Sequence, residues 1–314
     1  MTPIGTPLLW AGFLAFVLAM LALDLGLFHR KAHAVGVREA LIWSGVWVLL
    51  SLLFGAGLWW RFGSTAGLEF LTAYLVEKSL SVDNVFVFLA VFSALAIPAV
   101  HQHRVLFWGI LSALALRAAM IFAGTAALAR FEWLVYVFGV LLVLTGVKLF
   151  MRRGQRPDPL GGRMARLVRR VVPATPRLDG GHFFTLENGR RLATPLFTAL
   201  VVIEIADVVF AVDSIPVVLG ITRDPFIVFT SNVFAMLGLR SLFFLLAGAV
   251  QRFAYLDVGL SAVLVFVGLK MAAVHIFEIP ALASLAVVVA ILGASMLASV
   301  LRPQRRPSPA ARAG

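Results

Sequence analysis

The chain has 314 residues, 61% of them hydrophobic and only 13% charged, with a mean hydropathy of +0.98 and a formal net charge of +12. A water-soluble domain of this length needs far more polar surface, so that class is excluded. Cysteine is absent, which removes disulfides, thiolate metal sites and thiol redox chemistry carried by the chain itself.

Apolar blocks of about 20 residues, the length that crosses a ~30 Å hydrocarbon core, recur along the sequence. They predict an all-α membrane protein with about nine transmembrane helices, at 8–28, 38–60, 66–94, 101–128, 131–150, 194–219, 226–249, 256–275 and 281–301. The first block lacks a basic leader, exceeds a signal core in length and carries Asp24, so it reads as a retained helix. Asp24 is assigned to the acidic cluster described below in preference to the inner interface beside Arg30. The blocks divide the chain into two N-terminal helices (1–65), a three-helix unit (66–150), a basic loop (151–193), a second three-helix unit (194–275) and a last helix with a basic tail (276–314).

With the N-terminus outside, 19 Lys and Arg fall in inner segments, ten of them between Arg152 and Arg191; outside stand Arg61, Arg130 and Arg223. This bias predicts a multi-pass protein of the cytoplasmic (inner) membrane with its N-terminus outside and its C-terminus in the cytoplasm. Because the cations flank apolar blocks, the expected partner is the lipid bilayer, not nucleic acid.

In the long loop, Met164, Leu167, Val168, Val171 and Val172 form an apolar stripe opposite Arg163, Arg166, Arg169 and Arg170. That pattern fits an interfacial helix and, equally, a solvated basic linker. Further on, His182–Glu187 and Arg190–Thr194 flank Asn188-Gly189, the composition of a tight hairpin turn.

The two three-helix units resemble each other. Ser81-Val82-Asp83-Asn84-Val85-Phe86-Val87 aligns with Ala211-Val212-Asp213-Ser214-Ile215-Pro216-Val217, Ala115-Leu116-Arg117 with Gly238-Leu239-Arg240, and Gly146-Val147-Lys148 with Gly268-Leu269-Lys270. Three crossings per unit force the second copy to enter from the opposite side. The expectation is an inverted repeat, an arrangement that places a transport site at mid-membrane between the repeats.

Eleven ionisable side chains stand out inside the spans: Asp24, Glu77, Lys78, Asp83, Arg117, Lys148, Glu204, Asp207, Asp213, Arg240 and Lys270. An unpaired charge at a helix centre costs ~2.5–3.5 kcal/mol even on the lenient insertion scale, so such a set must pair internally or line water. Glu77 to Asp83 and Asp207 to Asp213 are both six apart. On an unbroken helix that is a climb of ~9 Å and a turn of about 120°. Either the helix unwinds or the acids form a ladder of successive sites. Pro216 bears on the choice, since it cannot donate to the Val212 carbonyl.

Carboxylates, hydroxyls, an amide and carbonyls form a hard-oxygen donor set suited to Mn²⁺, Mg²⁺ or Ca²⁺. The candidate ligands are Glu77, Asp83, Asn84, Glu204, Asp207, Asp213 and Ser214, with Glu204 also able to exchange protons. Arg117, Lys148, Arg240 and Lys270 are the candidate charge-compensating groups. A purely structural ion network is the competing reading, but apolar packing serves stability better, which favours a cation pathway. No nucleotide loop or hydrolytic triad is present, so neither an enzyme nor a tightly bound cofactor is expected. Trp59, Trp60, Trp108 and Trp133 lie near span ends as interfacial belt residues.

At the two acidic motifs the chain resembles the TerC family, more closely its Alx-like branch. The carrying residues are Glu77-Lys78-Ser79-Leu80-Ser81-Val82-Asp83-Asn84 and Phe210-Ala211-Val212-Asp213-Ser214-Ile215-Pro216, the latter preceded by Glu204 and Asp207. Asp24 ahead of His29-Arg30-Lys31-Ala32-His33, and Ala193-Thr194-Pro195-Leu196, match as well. Val217 departs from the alanine common there. The resemblance implies a membrane protein of tellurium resistance or alkaline response, with manganese the exported ion. It leaves open a redox-modulating role, export of another small solute, or a non-transporting scaffold that docks through the basic loop.

Overall fold

The computed structural model describes the chain apart from residues 1–3, 29–36, 132, 152–172, 188, 248–254, 274–278 and 302–314. The side chains of Asp24, Asp83 and Asp213 also lie outside the described set, as does the stripe at 164–172. In chain order the elements are α1 (Pro7–Phe28), α2 (Val37–Phe62), α3 (Ser64–Ala94), α4 (Ala99–Arg130), α5 (Leu134–Met151), β1 (Phe184–Glu187), β2 (Arg190–Ala193), α6 (Pro195–Ile221), α7 (Pro225–Leu237), α8 (Leu239–Ala247), α9 (Leu256–Ala272) and α10 (Ala281–Leu301).

Each predicted span contains a helix or, at 226–249, a helix pair. Six described segments are long and apolar enough to cross a membrane: 38–62, 99–130, 134–151, 195–221, 225–245 and 281–299. Residues 7–22 and 258–272 are apolar but shorter. Many large apolar side chains on these helices face outward, among them Trp60, Leu18, Leu53 and Leu144. In water this would be an unstable surface; against lipid it is the expected one.

Helix α3 is the centre of the bundle, packed by α2, α6, α7, α8 and α10, while α4 lies along α6. The half of the bundle near the start of α7 is filled by rings from several helices. Trp10 and Phe13 of α1, Phe54 of α2, Phe70 of α3 and Phe226, Phe229 and Phe234 of α7 meet with centroids 5.0–6.3 Å apart, mostly tilted or edge-on. Asp224 starts α7 by accepting from the Phe226 and Ile227 amides at 2.8 and 3.2 Å, with Pro225 in the first turn. Its other oxygen takes the Ile4 amide at 2.7 Å and ties the N-terminal segment down.

The closest helix pairing is α5 against α9. It rests on small residues at matched positions. A Cβ on Gly139 would stand 2.9 Å from the Gly268 carbonyl oxygen, and one on Gly268 would stand 2.7 Å from that of Gly139. Seven residues along, the Ser261 hydroxyl donates to the Gly146 carbonyl at 2.8 Å. The two helices run antiparallel at backbone contact, a packing mode that membrane helices reach through glycine and serine.

The hairpin forms as the sequence predicts. β1 and β2 pair antiparallel with Glu187 opposite Arg190, leaving a two-residue turn in which Gly189 has φ +73°. It is fastened to the helices: Thr194, at the start of α6, donates to the His182 carbonyl at 2.7 Å, Phe184 packs on Phe197 at 4.5 Å, and the Arg104 guanidinium lies 5.3 Å from the centre of the Phe183 ring. At Pro216 the alternative of unwinding does not occur. Helix α6 continues through it to Ile221, so the two motif acids of α6 belong to one unbroken helix.

Candidate cation site

Arg117 sits midway along α4 and is 2% exposed. Its guanidinium grips Asp207 of α6 with two bonds, Nε to Oδ2 at 3.1 Å and Nη2 to Oδ1 at 2.9 Å. From the other edge, Nη1 reaches Oε2 of Glu77 on α3 at 3.0 Å and the Ser214 hydroxyl at 3.4 Å. The Asn84 amide donates to Asp207 Oδ1 at 3.3 Å. Three helices therefore converge on one buried cation. The planar five-donor fork of arginine is what allows a single side chain to serve two carboxylates at once.

The arrangement is not closed. Glu77 Oε1 is buried without a hydrogen-bond partner among the described residues. Beside it lies a cavity of about 90 Å³, large enough for several waters. Its polar lining comes from Glu77, Ser81, Asn84, Arg117, Thr145 and Ser214, and Leu264 of α9 is among its apolar lining. With both carboxylates ionised, two negative charges face one positive one. The trio then carries a net negative charge in a low-dielectric interior, which a second cation or a proton relieves.

Four of the seven candidate ligands meet here: Glu77, Asn84, Asp207 and Ser214. Glu204, one helical turn before Asp207 on α6, makes no hydrogen bond to them among the described residues. It is half-buried and takes the Ser112 hydroxyl of α4 at 2.6 Å on Oε1, while Oε2 is buried without a partner among the described residues. Asp83 and Asp213 have described backbone but no described side chain. Among the described residues, no group of three His, Cys, Asp or Glu is disposed to hold a metal ion.

Of the four candidate counter-charges, Arg117 is the one that joins the cluster among the described residues. Arg240 is buried, 5% exposed, and borders a separate small cavity with Trp47, Leu21 and Phe107. Lys148 is exposed on α5. Lys270, near the end of α9, lies within electrostatic reach of Glu69 of α3. Glu69 escapes the sequence argument because it falls close to the start of α3, where a charge costs little. Ser112 escapes it because one serine in an apolar helix carries no signal of its own.

The sequence profile of the integral membrane protein TerC family matches residues 62–307. An uncharacterized membrane protein of Myxococcus xanthus is 63% identical over 305 residues, covering 97% of this chain and 96% of its own length. The Escherichia coli K12 protein provisionally named membrane-bound redox modulator Alx is 48% identical over 301 residues, covering 93% and 94%. An uncharacterized membrane protein of Rickettsia bellii is 40% identical over 293 residues, covering 93% and 97%. No solved structure matches the chain. A profile match over most of the length, with relatives this similar from end to end, decides the family: the chain belongs to the integral membrane protein TerC family.

Proposed function

We propose that this chain is a membrane transporter that exports a hard divalent cation, most specifically manganese, across the cytoplasmic membrane. The observation that carries the reading is the pair Glu77 and Asp207, held on one arginine beside a polar cavity, with one Glu77 oxygen left over among the described residues. A pair built only for stability would have all its oxygens satisfied.

In this reading the chain crosses the membrane nine times, N-terminus outside and C-terminus inside, and its two three-helix units form an inverted repeat. Two relationships support the repeat. Glu77 and Asp207 are separated by the same 130 positions as Asp83 and Asp213. The α5–α9 contact also maps onto itself when the units are exchanged: Gly139 takes the place of Ser261 and Gly146 that of Gly268, so the Gly139–Gly268 contact becomes the Ser261–Gly146 contact.

The cation is cargo. Glu77, Asp207, Asn84 and Ser214 would bind it together with Asp83 and Asp213, which continue the ladder along α3 and α6. Arg117 holds the carboxylates ionised between loads and yields them to the incoming divalent ion. Glu204, on its own hydroxyl, is free to exchange protons as counter-flow. The chain carries out no covalent chemistry and needs no resident cofactor.

Purified protein in liposomes containing a Mn²⁺-sensitive dye tests this. Flux is expected across several hard divalent ions and is expected to fail in Asp207→Asn and Glu77→Gln; flux absent from the wild type, or unaltered in both variants, overturns it. The relatives' name favours a second reading, a redox-stress modulator or scaffold without transport. That reading expects function to survive neutralisation of the buried acids and to be lost when the basic segment 155–190 is deleted.

A further inference from the structure

Lys78 follows Glu77 on α3 but serves a different place. Among the described residues its ammonium has one hydrogen-bond partner, and it is not a carboxylate. Nζ donates to the main-chain carbonyl of Ala235 at 3.3 Å. That carbonyl belongs to the last turn of α7, which ends at Leu237; Gly238 intervenes and α8 resumes at Leu239. An interrupted helix leaves its last carbonyls without their in-helix amides, and the aligned peptide dipoles put about half a negative charge on that end.

Residue 238 is shaped for this contact. A Cβ there would come within 2.5 Å of Lys78 Nζ and 3.3 Å of Trp47 Cβ, so the ammonium occupies space that a side chain at this position would make it give up. Its φ of −81° is open to any residue, which leaves close approach as the reason for glycine. The result is a cation resting on backbone oxygen, inside the bundle, at a break in a membrane helix. Discontinuous membrane helices present this kind of end to alkali cations, and rings of carbonyls replace such an ion's hydration shell. A primary ammonium is a monovalent cation close to K⁺ in size, and here it is covalently tethered.

We propose that the carbonyl end of α7 is a monovalent-cation site and that the Lys78 ammonium is its built-in occupant. The chain thereby supplies internally the positive charge that an alkali-ion-dependent protein takes from solution. Removing the ammonium opens the site to a K⁺-sized ion, and the wild type has no need of one. The inference is independent of what the Arg117 cluster carries.

The test is thermal unfolding of the full-length protein in detergent, followed by the fluorescence of its seven tryptophans. Wild type and Lys78→Met are titrated with KCl, NaCl and N-methylglucamine chloride at constant ionic strength. For Lys78→Met, K⁺ is expected to raise the midpoint saturably by about several degrees, with Na⁺ weaker and N-methylglucamine inert. Wild type and Lys78→Arg, which keep a cation in place, are expected to respond to none of the three. If Lys78→Met is recovered folded only from KCl, the same dependence has been seen at the stage of purification. If it is unstable in every salt, Lys78→Gln decides, with the same K⁺ selectivity expected. Equal stabilisation by all three salts, or no K⁺ response in either Met or Gln variant, overturns the proposal.

Discussion

Glu77 and Asp207 are 130 positions apart in the chain and bind opposite edges of one guanidinium, at 3.0 and 2.9 Å. Neither acid is within a helical turn of the other in sequence, and Arg117 is on a third helix. Their meeting is a property of the packed bundle.

The first prediction concerns that clamp. Arg117→Met leaves two buried carboxylates without their counter-charge and is expected to cost ~3–5 kcal/mol, the penalty of breaking a buried pair by removing one partner. Adding Glu77→Gln and Asp207→Asn to Arg117→Met should recover part of the loss, because neutral amides tolerate burial better than charges. Detergent-solubilised unfolding curves of the single and triple variants measure both effects. A triple variant as damaged as the single one would mean that the guanidinium acts mainly by packing.

A second prediction follows from the α5–α9 contact. Gly268→Ala forces a methyl to within 2.7 Å of the Gly139 carbonyl oxygen and should cost ~1–3 kcal/mol, as overpacking does. Gly293→Ala on α10 meets nothing within 4 Å and should be neutral or stabilise by up to about 1 kcal/mol, since alanine is the better helix former. Comparing the two melting curves separates close packing from helix propensity.

The Ser112 hydroxyl lies 2.6 Å from Glu204 Oε1 and also 2.6 Å from the Trp108 carbonyl of its own helix. Ser112→Ala is expected to cost ~1.5–3 kcal/mol while Glu204 is present, the range for a hydrogen bond to a charged group. In a Glu204→Gln background the same change should cost clearly less. A double-mutant cycle on stability reads the difference directly.

Asp224→Ala removes two amide partners at the start of α7 and the anchor of Ile4. Loss of the cap should cost ~1 kcal/mol. Amide exchange should also accelerate at Ile4, 220 positions away in sequence; unchanged protection there would show that the N-terminal segment is held by its aromatic contacts alone.

The membrane character, the helical stretches and the acidic motifs were legible in the sequence because each depends on a local property. Hydropathy over about 20 residues specifies a lipid-facing helix without reference to any neighbour, and Asn188-Gly189 marks a tight turn by its own backbone preferences. Charges in apolar blocks identify themselves by their cost. Even the α5–α9 correspondence was present as the repeated Gly-x-Lys pattern at Gly146 and Gly268, although nothing local says that the two glycines lie on the same interface.

What only the tertiary structure decided is which charges meet. Four cations were equally eligible to neutralise the acids, and a helix offers the same periodicity to each of them. Packing chose Arg117 for Glu77 and Asp207, set Lys270 near Glu69, left Lys148 exposed and put Lys78 on the carbonyl of Ala235. Pairing of this kind depends on the rotation and height of each helix against the others. Those are fixed by the sum of many side-chain contacts across the bundle and by small residues such as Gly139, Gly238 and Gly268, whose role is the space they leave empty.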